Sequence, residues 1–314
     1  MEKPNIAIIG AGMTGMICAR NLQDAGYEPI IFEKSRGVGG RIATRRTREG
    51  LQFDHGAQYI TARNENFQSF INNAINAGCA VNWEIEGQNT FVGRPSMNSL
   101  LGSVTKGISL QLNQEIKTVD KAENGWVLSS DNQNQLCDIA VLALPAPQII
   151  NLIGKEHSLS QKICDVEMTS CLTLMAAFPS DQATPFITRR EANDDLVWIA
   201  QDSAKPERSR EVTCWVAQAG EDWSRKYLEC DKDEIARILI PMLCERLSIA
   251  PSKLLYASAH RWRYSKVTVP LGRSFISDDS ATLYLGGDWA IGARVEAAWE
   301  SGTAIAKNIL EHIE

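Results

Sequence analysis

The sequence of 314 residues is poor in metal-binding residues and contains none of several common catalytic motifs. It has only four histidines, and no two of its eight cysteines are separated by two residues, so we expect no metal site and no disulfide framework. It also lacks a run of about 18 apolar residues, a signal-peptide pattern, a Walker A loop and a G-x-S-x-G elbow. These absences predict a cytoplasmic protein with buried thiols and no contact with a membrane.

Charge and apolar content set further limits. The formal net charge is −6. Binding to nucleic acid regardless of its sequence depends on many Lys and Arg contacts to phosphates, so we expect no nucleic-acid partner. The apolar content of 44% over 314 residues is enough for a substantial core and about two domains. The sequence leaves the oligomeric state open.

A strand, a glycine-rich turn, a helix and a second strand follow one another at the N-terminus. The apolar run Ile6–Ile9 precedes the pattern G-x-G-x-x-G, and the residues from Met16 to Ala25 are typical of a helix. The next apolar run, "EPIIFEK", ends its buried part at Glu33, 23 positions after the first glycine of the pattern. This order and spacing indicate a dinucleotide-binding unit, whereas the pattern alone is weak evidence. The alternative is a glycine-rich turn in an α/β fold without a cofactor.

Each residue of this unit has a physical role in that interpretation. The first glycine permits a tight turn, the second lets the backbone approach a diphosphate, and the third lets helix and strand pack closely. Glu33 accepts hydrogen bonds from ribose hydroxyls, and its charge disfavours a 2′-phosphate, so FAD or NAD is expected rather than NADP. The predicted cofactor contacts here are Gly10, Ala11, Gly12, Met13, Thr14, Gly15, Glu33 and Lys34.

A second glycine pair and several arginines follow the acidic residue. Gly40 and Arg41 would offer a cation to the same diphosphate, which FAD proteins of glutathione-reductase-like topology often need and NAD-only domains usually do not. Five arginines lie between positions 36 and 48 of this acidic protein. Two interpretations of Arg45, Arg46 and Arg48 stay open: they belong to a solvated loop, or they form an entrance that attracts anions.

The middle of the chain changes its pattern several times. Periodicity predicts helices over 67–77, 97–106 and 233–247, an antiparallel meander from residue 109, and a buried strand over 139–144 that Pro145 and Pro147 terminate. Short strands between about 150 and 270 indicate a second domain on an antiparallel sheet. Five tryptophans lie in or near it, and they form either the wall of a ring-binding site or ordinary core: Trp198, Trp215, Trp223, Trp262 and Trp289.

The segment "GGDWAIGARVEAAWESG" (286–302) places an acid on a glycine turn near the end of the chain. A strand over 283–285 precedes the turn, and an apolar stripe with helical spacing begins at Val295. Helix N-termini attract anions, so Asp288 has two interpretations. Either its negative charge only complements the positive end of the helix, or it forms one half of a cofactor site whose other half lies at the N-terminus.

These segments together resemble the renalase family within the flavin-containing amine oxidase superfamily, especially its bacterial members. The N-terminal fingerprint and the pair of glycines before Arg41 are shared across the superfamily. The more specific segments are "DHGAQYITAR" (54–63), "GRPSMNSLL" (93–101), "WIAQDSAKPER" (198–208), "HRWRYS" (260–265) and the segment 286–302. Their order and spacing resemble renalases over essentially the whole chain.

The resemblance implies an α/β fold of the two-domain flavoprotein type. A Rossmann-like FAD-binding domain of glutathione-reductase-like topology (1–68, 94–150 and 272–314) would carry an inserted substrate domain on an antiparallel sheet (69–93 and 151–271). It also implies non-covalent FAD and a small-molecule substrate, an isomeric dihydro-NAD(P), whose hydride passes to FAD. Oxygen then reoxidises the flavin and gives hydrogen peroxide.

The family motifs also suggest residues for the flavin and substrate sites. Gln58 and Tyr59 would lie near the flavin ring, Trp262 and Trp289 would wall the ring site, and His260 would contact substrate, support Trp262 or be purely structural. The helix that begins near Arg294 would point its positive end at the flavin ring. The additional cofactor contacts implied are Ala57, Gln58, Tyr59, Gly287, Asp288, Arg294, Val295 and Glu296.

Two departures from classical amine oxidases favour the narrower resemblance to renalases over amine oxidation. Those enzymes often carry a lysine near the flavin, and here no lysine occurs between Lys162 and Lys205. Several of them tether FAD through a C-terminal cysteine, whereas the last cysteine here is Cys244. Two alternatives stay open: an oxidase or dehydrogenase for an amine or another reduced metabolite, and a non-catalytic binding module on the same fold.

Overall fold

The computed structural model describes residues 3–85, 87–182 and 184–313. Its strands are β1 (Ile6–Ile9), β2 (Ile30–Glu33), β3 (Thr44–Arg46), β4 (Gln52–Asp54), β5 (Ala80–Ile85), β6 (Gln88–Gly93), β7 (Ser109–Leu112), β8 (Ile116–Lys121), β9 (Trp126–Ser130), β10 (Asn134–Cys137), β11 (Ile139–Leu142), β12 (Glu167–Pro179), β13 (Thr188–Arg190), β14 (Leu196–Gln201), β15 (Val212–Ala219), β16 (Tyr256–Val269), β17 (Phe275–Ser277) and β18 (Leu283–Gly286). Its helices are α1 (Met13–Asp24), α2 (Glu65–Asn76), α3 (Ala146–Ile153), α4 (Ser158–Lys162), α5 (Glu221–Lys226), α6 (Lys232–Leu247) and α7 (Val295–Ile313). No helix in these ranges is long and apolar enough to cross a membrane.

A six-stranded sheet carries the N-terminal glycine motif. Its order is β17-β18-β11-β1-β2-β7, and all neighbours are parallel except the antiparallel edge strand β17. The strands β1 and β11 are buried at every position because both faces of the sheet are covered. Ile6 and Ile8 pack in the cluster that contains α1 and α7, whereas Ala7 and Ile9 pack with α3 and the sheet β10-β9-β8. The result is a mixed α/β, Rossmann-like architecture.

A five-stranded antiparallel sheet forms the second large layer, in the order β13-β14-β15-β12-β16. The long strands β12 and β16 pair along most of their length, with Thr173 opposite His260 and Cys171 opposite Trp262. The apolar residues Leu172 and Leu174 pack with residues of α6 such as Leu239 and Leu243. Other residues of β12, β15 and β16 line a cavity between this sheet and the six-stranded one.

Two expectations about local structure were wrong. The predicted helix over 97–106 is a single 3-10 turn, Met97–Leu101. Ser96 does not cap the backbone there, because its hydroxyl is bonded to other side chains and the Met97 N–H donates to Asp54 Oδ1 at 3.0 Å. The predicted meander begins one strand later than expected, because β7 pairs in parallel with β2 and only β8, β9 and β10 form the antiparallel sheet.

Candidate functional site

A cavity of about 2430 Å³ lies between the two large sheets. One end is formed by the glycine turn after β1 and the acidic end of β2, and the other by β15 and β16 of the antiparallel sheet. Sites for drug-sized ligands usually occupy about 300–1,000 Å³. The cavity is therefore large enough for a dinucleotide cofactor together with a second ligand.

The glycine turn after β1 fits a diphosphate. Gly10 has φ +105°, and a Cβ on it would lie 2.6 Å from the carbonyl oxygen of Ala143. A Cβ on Gly15 would lie 2.0 Å from the carbonyl oxygen of Gly10, so this glycine serves the close packing of α1 on β1. Gly12 lines the cavity with open space around its Cα, and it precedes α1 without a side-chain cap. With no side-chain cap at this end, the first turn of α1 is suited to bind an anion.

Glu33 lies beside this turn at the end of β2. Its side chain is 8% exposed and lines the cavity. One carboxylate oxygen accepts from the Ala11 N–H at 2.9 Å and the other from the Ser35 N–H at 2.8 Å. These two bonds fix the carboxylate and leave acceptor capacity on both oxygens for ribose hydroxyls.

The structure brings Arg41 and Asp288 into direct contact across 247 positions of sequence. The guanidinium makes a bidentate pair with the carboxylate, at 2.5 and 2.8 Å, and also donates to the Ser265 carbonyl at 3.1 Å. Both side chains line the cavity. The N-terminal and C-terminal halves predicted to share one cofactor site therefore meet at this pair, and Arg41 already has a carboxylate partner.

The turn that carries Asp288 is held by close packing. A Cβ on Gly286 would lie 2.6 Å from Ser301 and Ile305 of α7, and the Gly287 N–H donates to Ser301 Oγ at 3.0 Å. Trp289, which was predicted to wall the ring site, lies outside the cavity lining. Its ring is fully buried in the core and its Nε1 donates to the Leu144 carbonyl at 2.8 Å. This corrects the prediction, because an indole with its N–H satisfied in the core offers no surface to a ligand.

Most of the predicted cofactor residues line the cavity, and three do not. Those that line it are Gly10, Gly12, Met13, Thr14, Glu33, Lys34, Gly40, Arg41, Ala57, Gln58, Tyr59, Gly287, Asp288, Arg294 and Val295. Ala11 is fully buried and contributes its N–H to Glu33, and Gly15 is a packing residue. Glu296 is 1% exposed and accepts from the N–H groups of Arg63 and Asn64, both at 2.7 Å. It therefore holds the loop before α2 rather than a ligand.

Aromatic and imidazole rings form the wall near β16. The rings of His55, His260 and Trp262 lie 4.3–5.0 Å from one another, and Trp262 Nε1 donates to the His55 carbonyl at 2.9 Å. Burial lowers the pKa of His260 to about 3, with His55 and Arg45 adding to the effect. Burial also lowers the pKa of His55 to about 4. Both imidazoles are neutral at pH 7.

The two remaining predicted ring-site residues have partners of their own. The Tyr59 hydroxyl accepts from Arg190, and its ring lies 5.6 Å from the ring of Trp198. The Gln58 amide donates to the carbonyls of Asp54 and Gly56, at 2.5 and 3.0 Å. All four predicted residues Gln58, Tyr59, His260 and Trp262 line the cavity.

Sequence reasoning missed a buried charged cluster behind this wall. It consists of Asp54, Asp202, Lys205 and Arg208, whose side chains are at most 3% exposed. Burial raises the pKa of Asp202, whereas Lys205 and Arg208 outweigh the effect of burial at Asp54 and hold its pKa below the usual range. The cluster joins the segments "DHGAQYITAR" and "WIAQDSAKPER", and the charges within those two motifs were the available signal.

The cavity wall is strongly cationic although the protein is acidic. Thirteen Lys and Arg residues line it, against five Asp and Glu residues. Of those acids, Asp288 is paired with Arg41, and Glu33 is engaged by backbone N–H groups. In the described part of the chain, Arg45 and Arg190 make no ion pair with a carboxylate. Near the start of the chain, Arg45 is half-buried whereas Arg46 and Arg48 are exposed, and all three line the cavity, so a solvated loop and an anion-attracting entrance both stay open for them.

Solved structures with the same fold cover nearly the whole chain. A putative protoporphyrinogen oxidase from Exiguobacterium sp. 255-15 aligns with a TM-score of 0.78 at 12% identity, over 99% of this chain and 100% of that one. Cyclohexylamine oxidase from Brevibacterium oxydans IH-35A aligns with a TM-score of 0.73 at 12% identity, over 99% of both chains. At this identity the likeness establishes the fold.

Curated relatives match over shorter stretches. An L-glutamate oxidase precursor from Streptomyces diastatochromogenes is 47% identical over 62 residues, which is 19% of this chain and 9% of the relative. An L-amino-acid oxidase from Siganus canaliculatus is 29% identical over 136 residues, which is 43% of this chain and 25% of the relative. The alignments thus span a quarter or less of these relatives.

Family models account for most of the sequence. Residues 8–74 match the NAD(P)-binding Rossmann-like domain, and residues 76–310 match the flavin containing amine oxidoreductase family. The matches confirm the predicted FAD cofactor and the predicted class of flavin-dependent oxidoreductase. The chain belongs to the flavin containing amine oxidoreductase family.

Proposed function

We propose that this protein is a renalase-type oxidase that converts isomeric dihydro-NAD(P) to NAD(P)⁺. In the balanced reaction, the substrate, a proton and oxygen give NAD(P)⁺ and hydrogen peroxide. The observation that carries the proposal is the excess of thirteen cationic over five acidic residues around a cavity of about 2430 Å³. The excess persists when the five cations that lie within 4.0 Å of a carboxylate are set aside, namely Arg41, Lys117, Arg261, Arg263 and Arg294. Such a wall favours a second diphosphate beside that of FAD.

The charge of the wall separates the candidate substrates. Arginine forms strong, often bidentate, bonds with phosphates, and a cleft lined by one sign of charge concentrates ligands of the opposite sign. A dinucleotide gains from both effects. A simple ammonium ion is repelled by the same wall, so the charge pattern disfavours simple amines.

The residues of the cofactor half have separate roles in this proposal. Bound FAD supplies the acceptor for the substrate hydride. The first turn of α1 binds the diphosphate, Glu33 holds a ribose, and Asp288, paired with Arg41, accepts a hydrogen bond from a ribityl hydroxyl or from another group near the diphosphate. The positive end of α7 would lie near the flavin ring, where negative charge develops on reduction.

The residues of the substrate half orient a ring without moving a proton. Hydride transfer from a dihydropyridine requires the reacting carbon at about 3–3.5 Å from its acceptor, and no proton leaves the substrate. Neutral His55 and His260 fit this need, since they offer hydrogen bonds without adding charge near a pyridinium product. Trp262 and Tyr59 supply flat apolar surface.

The sheet arrangement supports the finer architectural expectations. Parallel strands β7-β2-β1-β11-β18, with the antiparallel sheet β8-β9-β10 inserted before β11, are consistent with glutathione-reductase-like topology. The sheet β13-β14-β15-β12-β16 would belong to the substrate domain over 151–271, inserted between the segments that bind FAD.

A second candidate is an amino-acid oxidase. The two curated relatives above are named as oxidases of L-glutamate and of L-amino acids. The carboxylate of an amino acid could pair with Arg190 at the cavity wall, so the wall does not repel zwitterions as it repels simple amines. In contrast, Lys205 does not supply the flavin-proximal lysine of classical amine oxidases, because it is fully buried in the charged cluster outside the cavity lining.

Anaerobic mixing of the yellow holoprotein with three panels decides between these candidates. The panels are the isomeric products of chemical NAD(P)⁺ reduction, L-amino acids, and simple amines, with ordinary NADH as a control. We expect the flavin to bleach within seconds in the first panel only, and hydrogen peroxide to form when oxygen is readmitted. Rapid bleaching by amino acids alone would establish the second candidate and overturn the first.

Two matched variants test the charge argument. We expect Arg45→Met to raise the substrate concentration that gives half-maximal bleaching roughly tenfold, because one charge-assisted bond to a phosphate is worth about 1.5–3 kcal/mol. Arg273→Met removes an exposed arginine outside the cavity lining and should leave that concentration unchanged. Equal effects of both variants would show that the wall does not act through local phosphate contacts.

A further inference from the structure

The buried charged cluster converges on the segment 54–58, which forms part of the cavity wall. Lys205 Nζ lies 2.6 Å from Asp202 Oδ1, 3.3 Å from Asp54 Oδ2 and 3.5 Å from Gln58 Oε1. Arg208 Nη2 donates to Asp54 Oδ2 at 2.7 Å, and the Asp54 N–H donates to Asp202 Oδ2 at 3.1 Å. The whole segment is thus tied to residues 202–208, which follow β14.

Other contacts clamp the same segment from both sides. From the antiparallel sheet, Gln218 Nε2 donates to the Gly56 carbonyl at 2.8 Å, and Trp262 donates to the His55 carbonyl. From the opposite side, the Ala57 N–H donates to the Arg41 carbonyl at 2.9 Å. A Cβ on Gly56 would lie 2.0 Å from that same carbonyl oxygen, so the segment has no room to move toward Arg41.

The cluster also fixes which way the Gln58 amide faces. Lys205 is a donor only, so it selects the amide oxygen of Gln58. The amide nitrogen then donates to the carbonyls of Asp54 and Gly56. An apolar side chain in place of Lys205 would leave both Asp54 and Gln58 without this partner inside a fully buried site.

We infer that Lys205 is a positioning residue for the cofactor site. Through Asp54 and Gln58 it holds the segment 54–58 in the shape that the FAD-binding cavity requires. It does not line the cavity, so it acts through other residues. The inference goes beyond the proposed reaction and needs only the FAD cofactor. Its test therefore does not depend on which substrate the protein oxidises.

Titration of the apoprotein with FAD, monitored by the quenching of FAD fluorescence, tests this inference. We expect Lys205→Met to raise the Kd for FAD roughly tenfold, and Gln58→Leu to raise it also. In the double variant, the fold increase in Kd should be smaller than the product of the two single-variant increases by at least about twofold. Such a shortfall is expected of residues that act through one network. Ser224→Ala is the control, since Ser224 is fully buried in α5 and its hydroxyl accepts from the Leu172 N–H of β12, away from the segment 54–58.

The results that overturn the inference are distinct from a general loss of stability. If Lys205→Met lowers the melting temperature as Ser224→Ala does but keeps the wild-type Kd for FAD, Lys205 is purely structural. If the increase in Kd for the double variant equals the product of the two single-variant increases, Lys205 does not act through Gln58. The charge-balanced variant Lys205→Met with Asp202→Asn carries the test if Lys205→Met does not fold. A wild-type Kd in that variant would mean that only charge balance matters.

Discussion

Replacing Gly302 by alanine should weaken both the fold and FAD binding. Gly302 lies in α7 where it crosses the first turn of α1, and an added Cβ would lie 2.3 Å from the Thr14 carbonyl oxygen. Real contacts require at least 3.0 Å, so the helices must separate by about 0.7 Å. Overpacking of this kind costs about 1–3 kcal/mol, and the better helix propensity of alanine returns up to about 1 kcal/mol. The obstacle is backbone, which cannot change rotamer, so we expect a net loss near 2 kcal/mol.

Thermal unfolding of the apoprotein and FAD titration measure the two effects. A loss of 2 kcal/mol corresponds to a melting temperature about 4–8 °C lower. The Kd for FAD should rise as well, because Thr14 lies in the first turn of α1, which lines the cavity. Gly292→Ala is the matched control, since its Cβ would meet only the mobile end of Arg294 at 3.7 Å. A Gly302→Ala protein that is as stable as this control and binds FAD normally would refute the packing argument.

Three further predictions concern the cofactor and histidine sites. Glu33→Gln should raise the Kd for FAD roughly tenfold or more, since each bond to a charged group is worth about 1.5–3 kcal/mol, and an unchanged Kd would exclude the ribose role. Asp288→Asn should lower FAD occupancy while the far-UV circular dichroism is kept, because Arg41 loses its carboxylate partner, and full occupancy would reduce Asp288 to a helix-end charge. The pKa of His260 falls from 6.5 to about 3 on folding, so the unfolded chain binds more protons between these values and stability declines as pH falls through them. His260→Gln should flatten that decline, as chemical denaturation at several pH values would show.

The cofactor half could be predicted from sequence because its chemistry is local. A tight turn, a close backbone approach and an acid after the next strand each depend on residues within about 25 positions, and Gly10 and Glu33 occupy the expected places. The contact of Arg41 with Asp288 spans the chain, yet each residue follows a glycine pair, Asp288 just after β18 and Arg41 in the loop that follows β2. Parallel strands of one sheet bring the loops at their carboxyl ends together, so this pairing could also be anticipated.

The substrate half could not be predicted in the same way because its residues are selected by tertiary packing. Trp262 and Trp289 look alike in sequence, but only the former faces the cavity, since the latter follows a turn that directs it into the core. The cluster around Lys205 is harder still, because charged side chains are normally assigned to the surface. Its members lie about 150 positions from Asp54, and no spacing rule connects them.

Net charge and local charge lead to different conclusions about the same protein. The total of −6 argues against a nucleic-acid surface, yet it conceals thirteen cationic residues around one cavity. At physiological ionic strength the Debye length is about 8 Å, so a bound ligand experiences the cavity wall far more than the distant acidic surface. The charge that a ligand in the cavity experiences therefore depends on where the arginines converge, and this follows from the fold rather than from the composition. The proposal of an anionic substrate therefore rests on this local charge, although the sequence as a whole is acidic.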